Sequence, residues 1–350
     1  MINNEIFEIF RESSSYINQI GKILGTGKSC VVRELNYRNS KKVVGRLIKR
    51  ENNDKVKYDI IGGHNILKTL KILTKNIGNE KFDLIIEEKA ILRDLEKLFS
   101  FYHKFYLLKL IFHPFDEKVS DNFMRFITIQ IINGLEILYR NNLIYYNIEP
   151  SNILISLNLQ VKFSQFKKLT KYKEEFDQNK EVEIMGIDEK YSSPEYYLNS
   201  KMSLENAKKQ DLFALGVTLF FLKYGDDLIN FKKDENDDEI NKRRLINYLE
   251  RIYGLIKSKE NINPDFAKLI CSLIQINPED RPTFEKIYGN KWLNENKEKI
   301  DLYRKVFDSD EEKLIEEFQK MDFLIRKENN LEKKKMKKFT FKKNKKIIIK

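Results

Sequence analysis

The hydrophobic pattern changes period once along the chain, and few folds accommodate that change. Residues 18–88 carry short apolar runs separated by turns (Ile23-Leu24, Val31-Val32, Val43-Val44 and Leu84 to Ile86), the pattern of a small, mostly β lobe. One stretch near 64–74 has helical spacing instead. From about residue 89 the period turns helical. Phe123, Phe126, Ile127, Ile131, Leu135 and Leu138 fall on one face of a long amphipathic helix with Asp121 near its start. Short apolar stretches at 153–155 and 161–163 follow, then a polar stretch to about 190, then more helices to Leu293. A chain of 350 residues that reads β first and α afterwards suits either two compact units or one large bilobal one.

Charge and cysteine content narrow the setting. The formal net charge is +12, but Lys333 to Lys350 holds ten lysines and no acid, so the body carries 12 − 10 = +2 and the basic character belongs to a tail. Two cysteines, Cys30 and Cys271, lie far apart in sequence and do not suit a disulfide framework, which makes a reducing compartment the expectation. Glu5, Glu8 and Glu12 in the first turns do not suit a secretory signal. The longest apolar run, Leu212 to Leu222, is too short to span a bilayer and suits a buried helix. These features lead us to expect a cytoplasmic protein with no membrane span.

Several short motifs then occur in a fixed order. Gly25-Thr26-Gly27-Lys28-Ser29-Cys30-Val31-Val32 has two glycines where a backbone can approach phosphates, with Val32 placed to cover a base. A P-loop does not explain it, because that motif needs a glycine five residues before Gly27 and position 22 is Lys22. Val43-Val44-Gly45-Arg46 follows, with Lys49 as an alternative basic residue. Leu143-Ile144-Tyr145-Tyr146-Asn147-Ile148-Glu149-Pro150-Ser151-Asn152-Ile153-Leu154-Ile155 comes next, then Val161-Lys162-Phe163-Ser164-Gln165-Phe166-Lys167. Ser193-Pro194-Glu195, Asp211 to Val217 and Asn277-Pro278-Glu279-Asp280-Arg281-Pro282-Thr283 close the series, followed by Trp292-Leu293.

Taken together over residues 18–295, the series resembles the eukaryotic protein kinase superfamily of the Ser/Thr type. The resemblance implies a bilobal α+β fold: a small, mostly β N-lobe over 18–88 and a large, mostly α C-lobe over 89–295. It implies nucleotide contacts at Gly25, Gly27, Val32, Val44, Arg46, Leu154 and a hinge at Glu87-Glu88-Lys89. It also implies structural roles for Asp211, which would brace the catalytic loop, and for Glu195 and Arg281, which would pair.

The departures from the family pattern fall on its chemistry. Arg46 stands for the phosphate-contacting lysine, and no Asp or Glu occurs between Asp59 and Glu80 to pair with it. Tyr145 and Tyr146 stand for His and Arg, Asn147 for the catalytic Asp, and Glu149 for the loop Lys. Gln165 replaces the metal-binding Asp and Lys167 the Gly, which leaves Asn152 as the one family metal ligand retained. An amide at position 147 cannot accept a proton, and Gln165 offers Mg²⁺ only a neutral carbonyl. The pattern is that of a pseudokinase with no intact catalytic residue and no required cofactor. ATP held without metal, with Lys167 and Lys168 attracting phosphates or filling the pocket, stays open. So does a weakly active Ser/Thr kinase that uses ATP and Mg²⁺.

Residues 1–17 form an N-terminal extension. Residues 296–332 form a helical C-terminal one, with a capping box at Ser309-Asp310-Glu311-Glu312 and an apolar stripe of Leu314, Ile315, Phe318, Met321 and Ile325. The expected partner is a protein, either an active kinase or an assembly. The lysine-rich tail 333–350 suits an anionic surface, and a structural component of a larger complex anchored by that tail is a further alternative.

Overall fold

The computed structural model describes residues 2–26, 30–38, 41–50, 65–89, 94–96, 119–155, 159–164, 170–171, 181–183, 188–198, 201–225, 238–258 and 262–295. Gly27, Gln165, Lys167, Lys168, the capping box at 309–312, its helix and the tail 333–350 lie outside them. Residues 1–156 and 160–300 form one compact unit.

An N-terminal helix, α1 (Ile2–Glu12), precedes five strands: β1 (Ile17–Thr26), β2 (Cys30–Tyr37), β3 (Lys41–Arg50), β4 (Thr69–Ile77) and β5 (Glu80–Glu87). They form one antiparallel sheet in the order β1-β2-β3-β5-β4. Alternation along the strands gives the sheet two different faces. On the outer face Val31, Leu35, Val43, Leu47, Phe82, Leu84 and Ile86 bury against Ile6, Phe7 and Phe10, which share one side of α1. Gly45 permits this packing, since a Cβ there would sit 2.4 Å from Leu35 Cδ1. The opposite face carries Val32, Val44, Arg46, Ile85 and Glu87, and looks toward the large lobe.

The helical stretch expected near 64–74 is not a helix. Residues 69–77 are the edge strand β4. A register shift between Thr69 and Lys71 inserts Leu70 as an extra residue, so that Leu70, Leu73 and Ile77 all pack against the outer-face core. A bulge that changes the phase of alternation produces the i, i+3, i+7 spacing of a helix. The absence of acids from this stretch therefore carries no information about a helical partner for Arg46.

The large lobe begins with α2 (Val119–Arg140), whose Phe123, Phe126, Ile127, Ile131, Leu135 and Leu138 are all buried, as the sequence pattern predicts. Short strands follow: β6 (Leu143–Ile144), β7 (Ile153–Ile155), β8 (Val161–Phe163) and β9 (Thr170–Lys171), with β6 paired to β9 and β7 to β8. Strand β10 (Glu181–Glu183), helix α3 (Pro194–Leu198) and strand β11 (Lys201–Ser203) lead into α4 (Leu204–Tyr224). Helix α4 is capped by Ser203, whose side chain accepts from the Asn206 N–H, and residues 210–222 are buried on every side. Helices α5 (Asp238–Ser258), α6 (Pro264–Leu273), α7 (Phe284–Tyr288) and α8 (Lys291–Asn294) complete it.

Backbone pairing joins the two lobes. The Leu67 N–H donates to Phe163 O and the Phe163 N–H to Asn65 O, each at 2.9 Å. Gly134 on α2 lets the Phe163 ring pack close against the helix, because a Cβ there would fall 2.2 Å from its Cε2.

Candidate active site

The loop after β6 is held from below by α4. Asp211 is fully buried; its Oδ2 accepts from the Tyr145 N–H at 3.0 Å and its Oδ1 from the Tyr146 N–H at 2.8 Å. Tyr139 adds a hydroxyl donor to the same carboxylate at 3.3 Å. Tyr146 needs this support, since its φ of 56° lies in the left-handed region that costs a residue with a Cβ. Burial raises the Asp211 carboxyl to about 7, against the opposing pull of those hydrogen bonds.

Tyr145, in the histidine position, is fully buried. Its ring meets Phe163 edge-on at 5.0 Å, and its hydroxyl donates to Ser164 O. Burial raises its pKa well above that of an ordinary phenol, so it stays neutral and serves as packing and as a tether between the two loop segments.

Asn147, which the sequence motif assigns to the position of the catalytic base, is buried. Glu149 is folded back onto its own loop, where its Oε1 accepts from Asn152 Nδ2 and from Ser151 Oγ, each at 2.6 Å. Asn152 Nδ2 also donates to Asn147 O at 3.2 Å, and its Oδ1 is buried without a hydrogen-bond partner. That orphaned oxygen is a metal-ligand type, but it is a single neutral donor. Among the described residues no group of three or more His, Cys, Asp and Glu side chains could hold a metal. A hard, dehydration-resistant ion such as Mg²⁺ binds through carboxylates, and the Glu149 carboxylate beside Asn152 is engaged by hydrogen bonds within its own loop.

The upper wall of the cleft is the inner face of the sheet. Register places Val32 across from Arg46 and Val44 across from Glu87, while Leu154, half-buried on β7, lies across from Lys162 in the large lobe. Gly25 sits at the mouth on β1 with open space around it. Lys49 is on the other side of β3 and pairs at the surface with Glu80. Arg46 points toward the hinge, with its Nη2 3.1 Å and its Nε 3.3 Å from Glu87 Oε2.

Sequence reasoning passed over Lys162. Its Nζ lies 3.1 Å from Glu88 Oε1 and ties the floor of the cleft to the hinge. Alternation in Val161-Lys162-Phe163 was the available signal, since it puts Lys162 on the same face as Leu154.

At the far end of the lobe Glu195 and Arg281 meet as a buried, bidentate pair, Nη1 to Oε1 at 2.5 Å and Nη2 to Oε2 at 2.7 Å. Gln210 holds the segment before Glu195, accepting from the Ser193 N–H at 2.8 Å and donating to Tyr191 O at 3.0 Å. Ser192 and Ser193 are fully buried there, which withdraws them from modification in this state.

A five-stranded antiparallel lobe on a helical lobe, with a loop braced by a buried Asp between them, is the bilobal α+β protein kinase fold. Residues 18–293 match the protein kinase domain family, well over half of the chain, and the chain belongs to that family. It is similar to the Aurora kinase of Saccharomyces cerevisiae, with 27% identity over 283 residues that cover 80% of this chain and 70% of the yeast protein. It is also similar to the probable serine/threonine-protein kinase ireA of Dictyostelium discoideum, 26% identical over 52% of this chain and 17% of that protein. The serine/threonine-protein kinase atg1 of the same organism is 26% identical over 51% of this chain and 25% of its own length. The chain thus spans only a minor part of the two Dictyostelium relatives. No described helix is long and apolar enough to cross a membrane.

Proposed function

We propose that this chain is a pseudokinase, a kinase fold that acts as a scaffold or allosteric regulator of a protein partner and does not transfer phosphate. The observation that carries this reading is the buried amide of Asn147 where the family places its catalytic base. Loss of a general base alone forfeits roughly 10²–10⁴ in rate. Three further changes point the same way. Gln165 replaces the metal-binding acid, Glu149 replaces the loop lysine and hydrogen-bonds to its own loop, and Arg46 is engaged with Glu87. The side chains that hold the fold, Asp211, Glu195 and Arg281, keep their family identities and contacts.

On this reading no cofactor is required, the partner is an active kinase or an assembly, and the lysine-rich tail binds an anionic surface in the cytoplasm. A structural component anchored by that tail fits the same features. The relatives favour another reading, a Ser/Thr kinase that uses ATP and Mg²⁺, because the names they carry are those of such kinases. The two separate on labelled ATP and a generic basic protein substrate. The pseudokinase reading expects no label on the substrate with or without Mg²⁺. Metal-dependent labelling that disappears in Gln165→Ala or Arg46→Ala would establish the kinase instead.

A further inference from the structure

We infer that the Arg46–Glu87 ion pair occupies the purine subsite of the cleft and closes it to nucleotides. The inference rests on the reading of the cleft as inert and adds a physical reason for that inertness. In the family the base lies against the inner sheet face, between the residues at positions 32, 44 and 154 and the hinge. Here that face carries a guanidinium and a carboxylate in contact, with Arg46 8% and Glu87 3% exposed. Register sets Arg46 across from Val32 and Ile85, and Glu87 across from Val44, so the pair runs diagonally over the patch a base would cover.

Two desolvated charges hold each other more firmly than either would hold a neutral ring. Separating them to admit a purine would break an ion pair inside a buried site. The planar fork of arginine suits this arrangement, because two of its nitrogens reach the same carboxylate oxygen. A lysine at 46 could offer only a point charge.

The hinge is tied down on each side of the pair. Glu88 accepts from the Lys68 N–H at 2.9 Å and meets Lys162 Nζ at 3.1 Å, and its own N–H donates to Lys68 O at 2.9 Å. Lys89 reaches Glu34 on β2, and that bond lowers the pKa of the Glu34 carboxyl. Three consecutive residues, 87, 88 and 89, thus anchor to β3, to β8 and to β2. In this state the hinge serves as an electrostatic clasp between the lobes.

The test is metal-free nucleotide binding, read as the shift in melting temperature with millimolar ADP or adenosine in excess chelator. Ligand that binds only the folded state raises the melting temperature by mass action. The wild-type chain is expected to show no shift. The Arg46→Met/Glu87→Gln double variant, which removes both charges of the pair, is expected to rise by several degrees. A wild-type shift as large as that of the variant overturns the inference, and so does the absence of a shift in both.

Hydrogen exchange on the wild-type chain gives a second reading that needs no variant. Added ADP is expected to leave the amides of residues 85–89 unchanged, and ADP-dependent protection there overturns the plug. Binding by the wild-type chain without transfer to a substrate removes the plug but leaves the pseudokinase reading standing. Transfer itself removes that reading.

Discussion

Arg281→Ala is expected to destabilise the large lobe by about 3–5 kcal/mol, because it strands a buried carboxylate. Arg281 is 2% exposed and Glu195 7%, and the guanidinium makes two parallel bonds to the carboxylate. It also donates to three main-chain carbonyls, Gln275 O at 3.0 Å, Lys209 O at 3.0 Å and Ile276 O at 3.5 Å, and lies 5.0 Å over the Phe213 ring. Truncation therefore removes the counter-charge of Glu195 and the partners of the loop before α7 together. Denaturant midpoints would measure the loss. The control is Arg281→Met/Glu195→Leu, which buries no charge and is expected to be less damaging than Arg281→Ala alone. A loss below about 1 kcal/mol, the scale of an exposed pair, would contradict the assignment.

The second large effect is at Asp211. Asp211→Ala leaves the N–H groups of Tyr145 and Tyr146 buried without an acceptor, at about 1–3 kcal/mol each, and releases the strained backbone of Tyr146. A total loss of roughly 2–5 kcal/mol is expected from those terms. The pH dependence has a definite sign. The folded-state carboxyl sits near 7, above the 3.8 of an exposed Asp, so the folded state binds the proton more tightly. Its contribution is fully present below about pH 4. It declines as the pH rises toward 7, while the unfolded chain ionises and the folded one does not, and levels off above that. Wild-type stability relative to Asp211→Asn should accordingly narrow between pH 4 and 7. A gap that widens over that interval would show that the carboxyl stays ionised in the fold.

Much of the architecture is legible in the sequence, because it depends on periodicity. The stripe from Phe123 to Leu138 specifies α2, and the uniformly apolar run from Leu212 to Leu222 specifies a helix buried on every side. Where the pattern misleads, at 64–74, a bulge at Leu70 supplies helical spacing to a strand. The β-branched Thr69, Ile72 and Thr74 were the signal that could have corrected it. Residues 1–17 give another lesson. Ile6, Phe7 and Phe10 are too few to announce a core, yet they cover the apolar part of the outer face of the sheet, because β3 and β5 present Val43, Leu47, Leu84 and Ile86 there.

The site divides in the same way. The chemical identities at 147, 149 and 165 are visible in the chain itself. What the side chains do is not, because it depends on rotamers and on diagonal neighbours across strands. The direction of Arg46 toward Glu87, the retreat of Glu149 onto Asn152, and the bridge from Lys162 to Glu88 all belong to that second kind.

The most direct test of the central claim needs no knowledge of a substrate. The purified chain is incubated with ATP and Mg²⁺ at high protein concentration, ADP is quantified over hours, and the intact mass of the chain is recorded. An inert cleft predicts ADP formation at the rate of buffer alone and no added phosphate on the chain. Mg²⁺-dependent ADP formation or a phosphorylated chain, abolished by Gln165→Ala, would contradict it.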